Sequence, residues 1–157
     1  MTSSHWIALV AMLLLLASVV CDLRSRIIPD SISVALVALA VLATALRWNG
    51  VTWPALLGGL GVSFGIGAAL FYAGVMGGGD AKLCGGLGAL CGWPSVLEVL
   101  FATAVCGGVL AYAAKRRGKE SLPYAPAIAA GYAVTMAITW GSPECSGLWH
   151  WITERPS

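Results

Sequence analysis

Apolar residues run through this chain in long blocks, and the polar residues are confined to the gaps between them. Six blocks can be drawn: about Trp6 to Cys21, Ser31 to Leu46, Trp53 to Met76, Ala81 to Trp93, Ser95 to Ala114, and Tyr124 to Trp140. The third is long enough to span a bilayer, since about 20 apolar residues cross its hydrocarbon core. The fourth is short and rich in glycine. Blocks shorter than a full span can use flanking residues or sit where the bilayer is thinned. Pro29 followed by Asp30 and Ser31 suits a helix start. The pattern predicts an all-α, polytopic membrane helical bundle of about six transmembrane helices. It forms one domain over residues 6–141, followed by a short tail over 142–157.

Composition supports this reading and removes other classes. Of 157 residues, 59% are hydrophobic and 10% charged, with mean hydropathy +0.85. A soluble domain carries about 25% charged residues, so this chain cannot cover a water-facing surface. The net charge of +2 forms no basic footprint for nucleic acid. The five cysteines, Cys21, Cys84, Cys91, Cys106 and Cys145, contain no C-x-x-C pair of the kind that marks a zinc or redox site. In apolar stretches they read as small hydrophobes. The first block reads as a retained helix and not as a secretory signal. No Lys or Arg precedes it, and Val19 and Val20 are not the small residues a cleavage site needs.

Loop charges orient the bundle. Arg24 and Arg26 follow the first block, Lys82 follows the third, and Lys115, Arg116, Arg117 and Lys119 follow the fifth. These loops share one side and hold seven of the nine basic residues, leaving Arg47 and Arg155 on the other. Positive charge marks the cytoplasmic side, so both termini are expected on the outer face. Trp48, Trp53, Trp93, Trp140, Trp149 and Trp151 then fall at or near the outer interface as an aromatic belt. His5 and His150 also lie on that outer side. A nucleophilic Cys–His pair built on Cys21 would therefore lack its base.

Two acids lie at the cytoplasmic ends of their blocks. Asp22 sits in Cys21-Asp22-Leu23-Arg24-Ser25-Arg26-Ile27-Ile28-Pro29, and Asp80 closes Met76-Gly77-Gly78-Gly79-Asp80-Ala81-Lys82. A carboxylate at a membrane boundary is costly and usually functional. If the two approach each other, like charges prevent both from ionising, and the pair holds one proton. The ionised member can then activate water. The protonated member can polarise a scissile carbonyl and donate to the leaving amine. On spacing alone, other readings stay open. Asp22 can cap a helix end or pair with Arg24 or Arg26, and Asp80 can cap the fourth helix. The glycine triplet reads either as a flexible loop or as backbone that exposes Asp80 to a substrate strand. Asp30 reads as a helix cap. Lys82 reads as a plain positive-inside residue, as a counter-charge to the acids, or as a contact for a substrate carboxylate. Glu98 falls near the outer start of the fifth helix, and Glu120 reads as solvated. The small-xxx-small glycine spacings from Gly58 to Gly92 predict close helix packing.

Three segments in order carry a resemblance to a known family: Asp22 to Pro29 with its basic stretch and Ile-Pro, then Gly77-x-Gly79-Asp80-x-Lys82, then Leu122-Pro123-Tyr124-Ala125-Pro126. The chain resembles the prepilin peptidases, the type IV leader peptidases of the GxGD intramembrane aspartic protease class, from about residue 6 to about residue 141. The resemblance implies that Asp22 and Asp80 are the catalytic pair. Gly77, Gly78, Gly79, Lys82, Pro29, Asp30, Pro123 and Pro126 would bind substrate or support the site, with no metal and no cofactor. It implies a multi-pass protein of the bacterial inner membrane that cleaves the short basic leader of type IV prepilins and pseudopilins after a glycine. Larger relatives carry a cytoplasmic segment with two C-x-x-C pairs and also N-methylate the new terminus. This chain has neither the pairs nor space for that segment, and looks like the short, cleavage-only form of the tight-adherence (Flp) pilus type. The family often has Pro-Asn where Pro29-Asp30 stands here. Asp22 and Asp80 are expected near each other without a firm bond between them. The main rival is a small transporter or channel subunit using the aspartates as a proton or cation relay. Against it, the acids lie at one face and the halves show no repeat. A structural assembly subunit is a third reading. A divalent-metal site is a fourth, poorly served by two carboxylates beside a lysine.

Overall fold

The structure is a computed structural model that describes residues 3–25, 29–116 and 124–139. These residues form six helices: α1 (Ser3–Ser25), α2 (Asp30–Ala45), α3 (Trp53–Tyr72), α4 (Gly78–Cys91), α5 (Val96–Arg116) and α6 (Ala125–Thr139). The protein is an all-helical membrane bundle, with one helix for each apolar block. The tail over 142–157 lies outside the described residues, as do Trp140, Trp149, Trp151 and His150.

The six helices are not equivalent. Within α1, α3 and α5, the stretches His5–Ser25, Trp53–Tyr72 and Val96–Ala113 are long and apolar enough to cross a membrane. α2 and α6 are apolar but shorter. α4 has 14 residues, a length of about 21 Å at 1.5 Å per residue. Its role is interior packing, because every residue from Leu83 to Leu90 is buried. The expected count of about six crossings therefore resolves into three full-length spans, two short apolar helices and one buried core helix.

Glycine lets α4 sit this deep. Along α3, Gly59, Ser63 and Gly67 recur every four residues and are all buried, which gives one small-residue stripe. Gly59 and Ser63 press on Gly88, and Gly67 presses on Ala81. α2 covers another side of α4, with Ser33 and Leu36 against Gly86. Not all of the glycines serve this packing: a Cβ on Gly61 or Gly65 would meet nothing within 4 Å. The Ser63 hydroxyl donates to the Gly59 carbonyl of its own helix, so the stripe brings no unpaired polar group into the core.

Side-chain contacts define two ends of the bundle. α2 and α4 both begin at one end, tied by Lys82 of α4 to Asp30 of α2. α1 finishes at that end, where Asp22 meets the start of α6. At the opposite end, Trp6 of α1 and Trp48 after α2 line one apolar groove. Trp93 donates its backbone N–H to Ala55 near the start of α3. The described tryptophans thus gather at the end away from the acids.

Candidate active site

Helical periodicity aims Asp22 inward. Ile7, Ala11, Leu15, Ser18 and Asp22 are buried along one face of α1, while Leu13, Leu16, Val20 and Leu23 are exposed. These spacings of three and four residues define a single stripe. Asp22 lies in the last turn of α1, not beyond its end, and is only 6% exposed. Its Oδ2 accepts a hydrogen bond of 3.3 Å from the Ala125 N–H at the start of α6. The aspartate therefore joins two helices 103 positions apart in sequence.

Asp80 is placed by a helix start. Gly77 is the N-cap of α4 in extended conformation, and Gly78, Gly79 and Asp80 are its first helical residues. The Gly77 N–H hydrogen-bonds back to the Asp80 carboxyl, as an acid at the third helical position does in a capping box. The triplet is thus a tight helix entry, which sets aside the flexible-loop alternative of the two sequence readings. None of its members has positive φ; in the connection from α3 that conformation falls to Gly74. The triplet still has to be small. A Cβ on Gly77 would come within 3.2 Å of Asp80 Oδ2, and one on Gly78 within 3.5 Å of the Phe71 ring.

The two acids meet electrostatically. Burial pushes the Asp80 carboxyl up from its ordinary 3.8 to about 6, and the Asp22 charge adds to the rise, against the lowering effect of the Gly77 N–H. Asp80 is 7% exposed, and its Oδ1 is buried without a hydrogen-bond partner. A protonated carboxyl tolerates such an environment far better than an ionised one. Each carboxyl thus takes one backbone N–H, and Asp80 keeps a second, buried oxygen without a partner. This arrangement can hold a proton next to a water-activating carboxylate.

The supporting residues divide. Asp30 was expected as a cap but is the first residue of α2; Pro29 is the N-cap and no side chain caps the helix. Cap geometry needs the side chain one position earlier, so the Asp30 carboxylate is left for Lys82 at 2.7 Å. Lys82 accordingly pairs with Asp30 rather than with the dyad. The side chains of this pair are 51% and 65% exposed, and exposed pairs contribute about 0–1 kcal/mol. Lys82→Ala is expected to change stability by less than about 1 kcal/mol in thermal unfolding of the detergent-solubilised protein. Pro126 is the second residue of α6, and Pro123 lies outside the described residues. Ala125 was not singled out from the sequence as a site residue. The signal for it was the proline beside it, which has no N–H to share.

A model of the type IV leader peptidase family matches residues 9–112, more than half of the chain. Two curated relatives, each a prepilin leader peptidase/N-methyltransferase of Burkholderia pseudomallei (strains 1026b and K96243), are 39% identical over 69 residues. That stretch is 41% of this chain and 22% of each relative, so the chain matches about a fifth of the length of these relatives. No solved structure matches the chain.

Proposed function

We propose, because the chain belongs to the type IV leader peptidase family, that it is an intramembrane aspartic endopeptidase removing the leader from type IV prepilins and pseudopilins of the Flp-like kind. The observation that carries the reading is the pairing of two buried carboxyls, Asp22 and Asp80, at one end of a membrane bundle. Arg24, Lys82 and Arg116 end or begin helices at that same end. With positive charge on the cytoplasmic side of the inner membrane, the dyad lies where a cytoplasmic leader meets an apolar helix.

The chemistry follows from one proton shared by two acids. The ionised carboxylate takes a proton from water as its oxygen bonds to the carbonyl carbon of the scissile peptide. The other carboxyl hydrogen-bonds the developing oxyanion and then gives its proton to the nitrogen as the C–N bond breaks. The proton gained from water passes back within the pair, which resets the site. Gly77 to Gly79 bring a side-chain-free backbone up to Asp80, and Pro29, Asp30, Lys82 and Pro126 shape the rim. The sequence contains no C-x-x-C pair, and the released helix is expected to keep an unmethylated N-terminus.

Co-expression with a precursor carrying a basic leader, a glycine and an apolar helix tests the reading. Mass spectrometry should find the new N-terminus directly after the glycine, without an added methyl group. A precursor that stays full length in the presence of the inserted protein overturns the proposal.

The pH profile is a second test. Asp80 keeps its proton until about pH 6, and above that the pair has none to donate. In the free enzyme kcat/KM should therefore fall as pH rises through about 6, approaching tenfold per unit. The limb belongs to the pair and not to one residue. A kcat/KM that holds level from about pH 5 to about pH 8 rules out a shared proton.

A further inference from the structure

The start of α6 carries one backbone donor that its own helix does not use for its first-turn acceptor. The N–H groups of Ala127 and Ile128 both go to the Tyr124 carbonyl. Pro126, between them and Ala125, has no N–H. The remaining donor, the Ala125 N–H, points at Asp22 Oδ2. Ala125 is fully buried, so water does not compete for this donor. A hydrogen bond from a fixed backbone donor holds the accepting carboxyl in one orientation. Asp80 also takes one backbone N–H, from Gly77, but its Oδ1 is buried where no donor reaches it. The two acids are alike in sequence but not in their partners.

We propose that the Ala125 N–H is a positioning group that orients Asp22 as the water-activating member of the pair and leaves Asp80, with its unpartnered buried Oδ1, as the member that carries and donates the proton. The assignment rests on the aspartic peptidase reading above and gives its two acids distinct roles. Asp22 takes the proton from water as the new C–O bond forms. Asp80 gives its proton to the amine as the C–N bond breaks, and the proton on Asp22 then returns to Asp80. Ala125 forms and breaks no bond. It acts only through the carboxylate that it orients.

The test uses the full chain reconstituted in lipid, with a synthetic leader-plus-helix peptide as substrate. Ala125→Pro removes the donor at a first-helical position that proline tolerates. Replacing the Tyr124–Ala125 amide by an ester removes the same hydrogen without adding a ring. Both should lower kcat by about 10- to 100-fold with KM little changed. The roles are read with a second peptide whose scissile amide is a thioester, because a thiolate leaves without being protonated. Asp80→Asn should cleave the thioester and not the amide, and Asp22→Asn should cleave neither. A wild-type kcat for the ester-linked protein, or a loss in KM alone, overturns the positioning role. Thioester cleavage by Asp22→Asn but not by Asp80→Asn reverses the assignment. Failure of the underlying reading looks different: both asparagine variants would then cleave the ordinary peptide at the wild-type rate. If Ala125→Pro does not fold, the ester-linked protein decides.

Discussion

Asp80→Asn should lower leader processing by about 10³-fold or more while leaving a folded, membrane-inserted protein. General acid–base groups contribute about 10²- to 10⁴-fold each, and the asparagine amide cannot deliver a proton at any pH used in the assay. The fold is spared because asparagine is isosteric and its carbonyl oxygen can still accept from the Gly77 N–H. The stability comparison has a definite sign. Asp80 holds its proton more tightly in the fold than in the unfolded chain, so its contribution is fully present below about 3.8 and is lost as pH rises through about 6. Asparagine does not titrate and escapes that loss. Above about pH 6 the variant should therefore unfold at the wild-type temperature or higher. Asp22→Asn should lose activity on the same scale. Initial rates with a purified prepilin-like substrate, alongside thermal unfolding in the same detergent, check both halves. Retained processing by both variants sinks the dyad, and an unfolded Asp80→Asn protein sinks the claim that this acid serves chemistry at the expense of stability.

The second large effect lies away from the acids. Gly88→Ala should destabilise the bundle by about 1–3 kcal/mol or more, the usual cost of overpacking a tight interior. A Cβ on Gly88 would run into the Ser63 hydroxyl and the Gly59 carbonyl oxygen, both on α3, and lie 2.7 Å from Ser63 Cβ. The hydroxyl can turn away. The carbonyl is backbone, and it retreats only if α3 moves as a whole. Gly59→Ala should behave alike, because its Cβ would come within 2.9 Å of the Gly92 backbone. Gly61→Ala and Gly65→Ala are the controls on the same helix. Their added methyl groups meet nothing within 4 Å, and alanine gains up to about 1 kcal/mol of helix propensity over glycine. Unfolding temperatures should thus fall for Gly59 and Gly88 and hold or rise for Gly61 and Gly65. Because α4 carries Asp80 in its first turn, displacing it should also reduce processing. Equal behaviour of all four variants would show that the α3–α4 crossing is looser than its geometry states.

The sequence by itself determined the helical membrane class, the number of helices and the positions of the two acids along the chain. Block lengths and the scarcity of charge leave a chain of this kind no other way to satisfy its backbone in lipid. The small-residue spacings between Gly58 and Gly92 also pointed to close helix packing, but that the crossing runs along Gly59, Ser63 and Gly67 and not along Gly61 and Gly65 came from the structure. Which face of each helix turns inward was not legible. In a bilayer both the core and the lipid are apolar, so Leu15 on the buried face and Leu16 on the exposed face of α1 look the same in a hydrophobicity pattern. Three further features were decided only by tertiary structure. α4 became a buried core helix because two neighbours, α2 and α3, press on its glycines and on Ala81. Lys82 went to Asp30 because α2 and α4 start at the same end. Asp22 received the Ala125 N–H from 103 positions away. That last contact is made by backbone, whose donor is present at every residue but proline. Only the packing of α6 against α1 could show which one meets the acid.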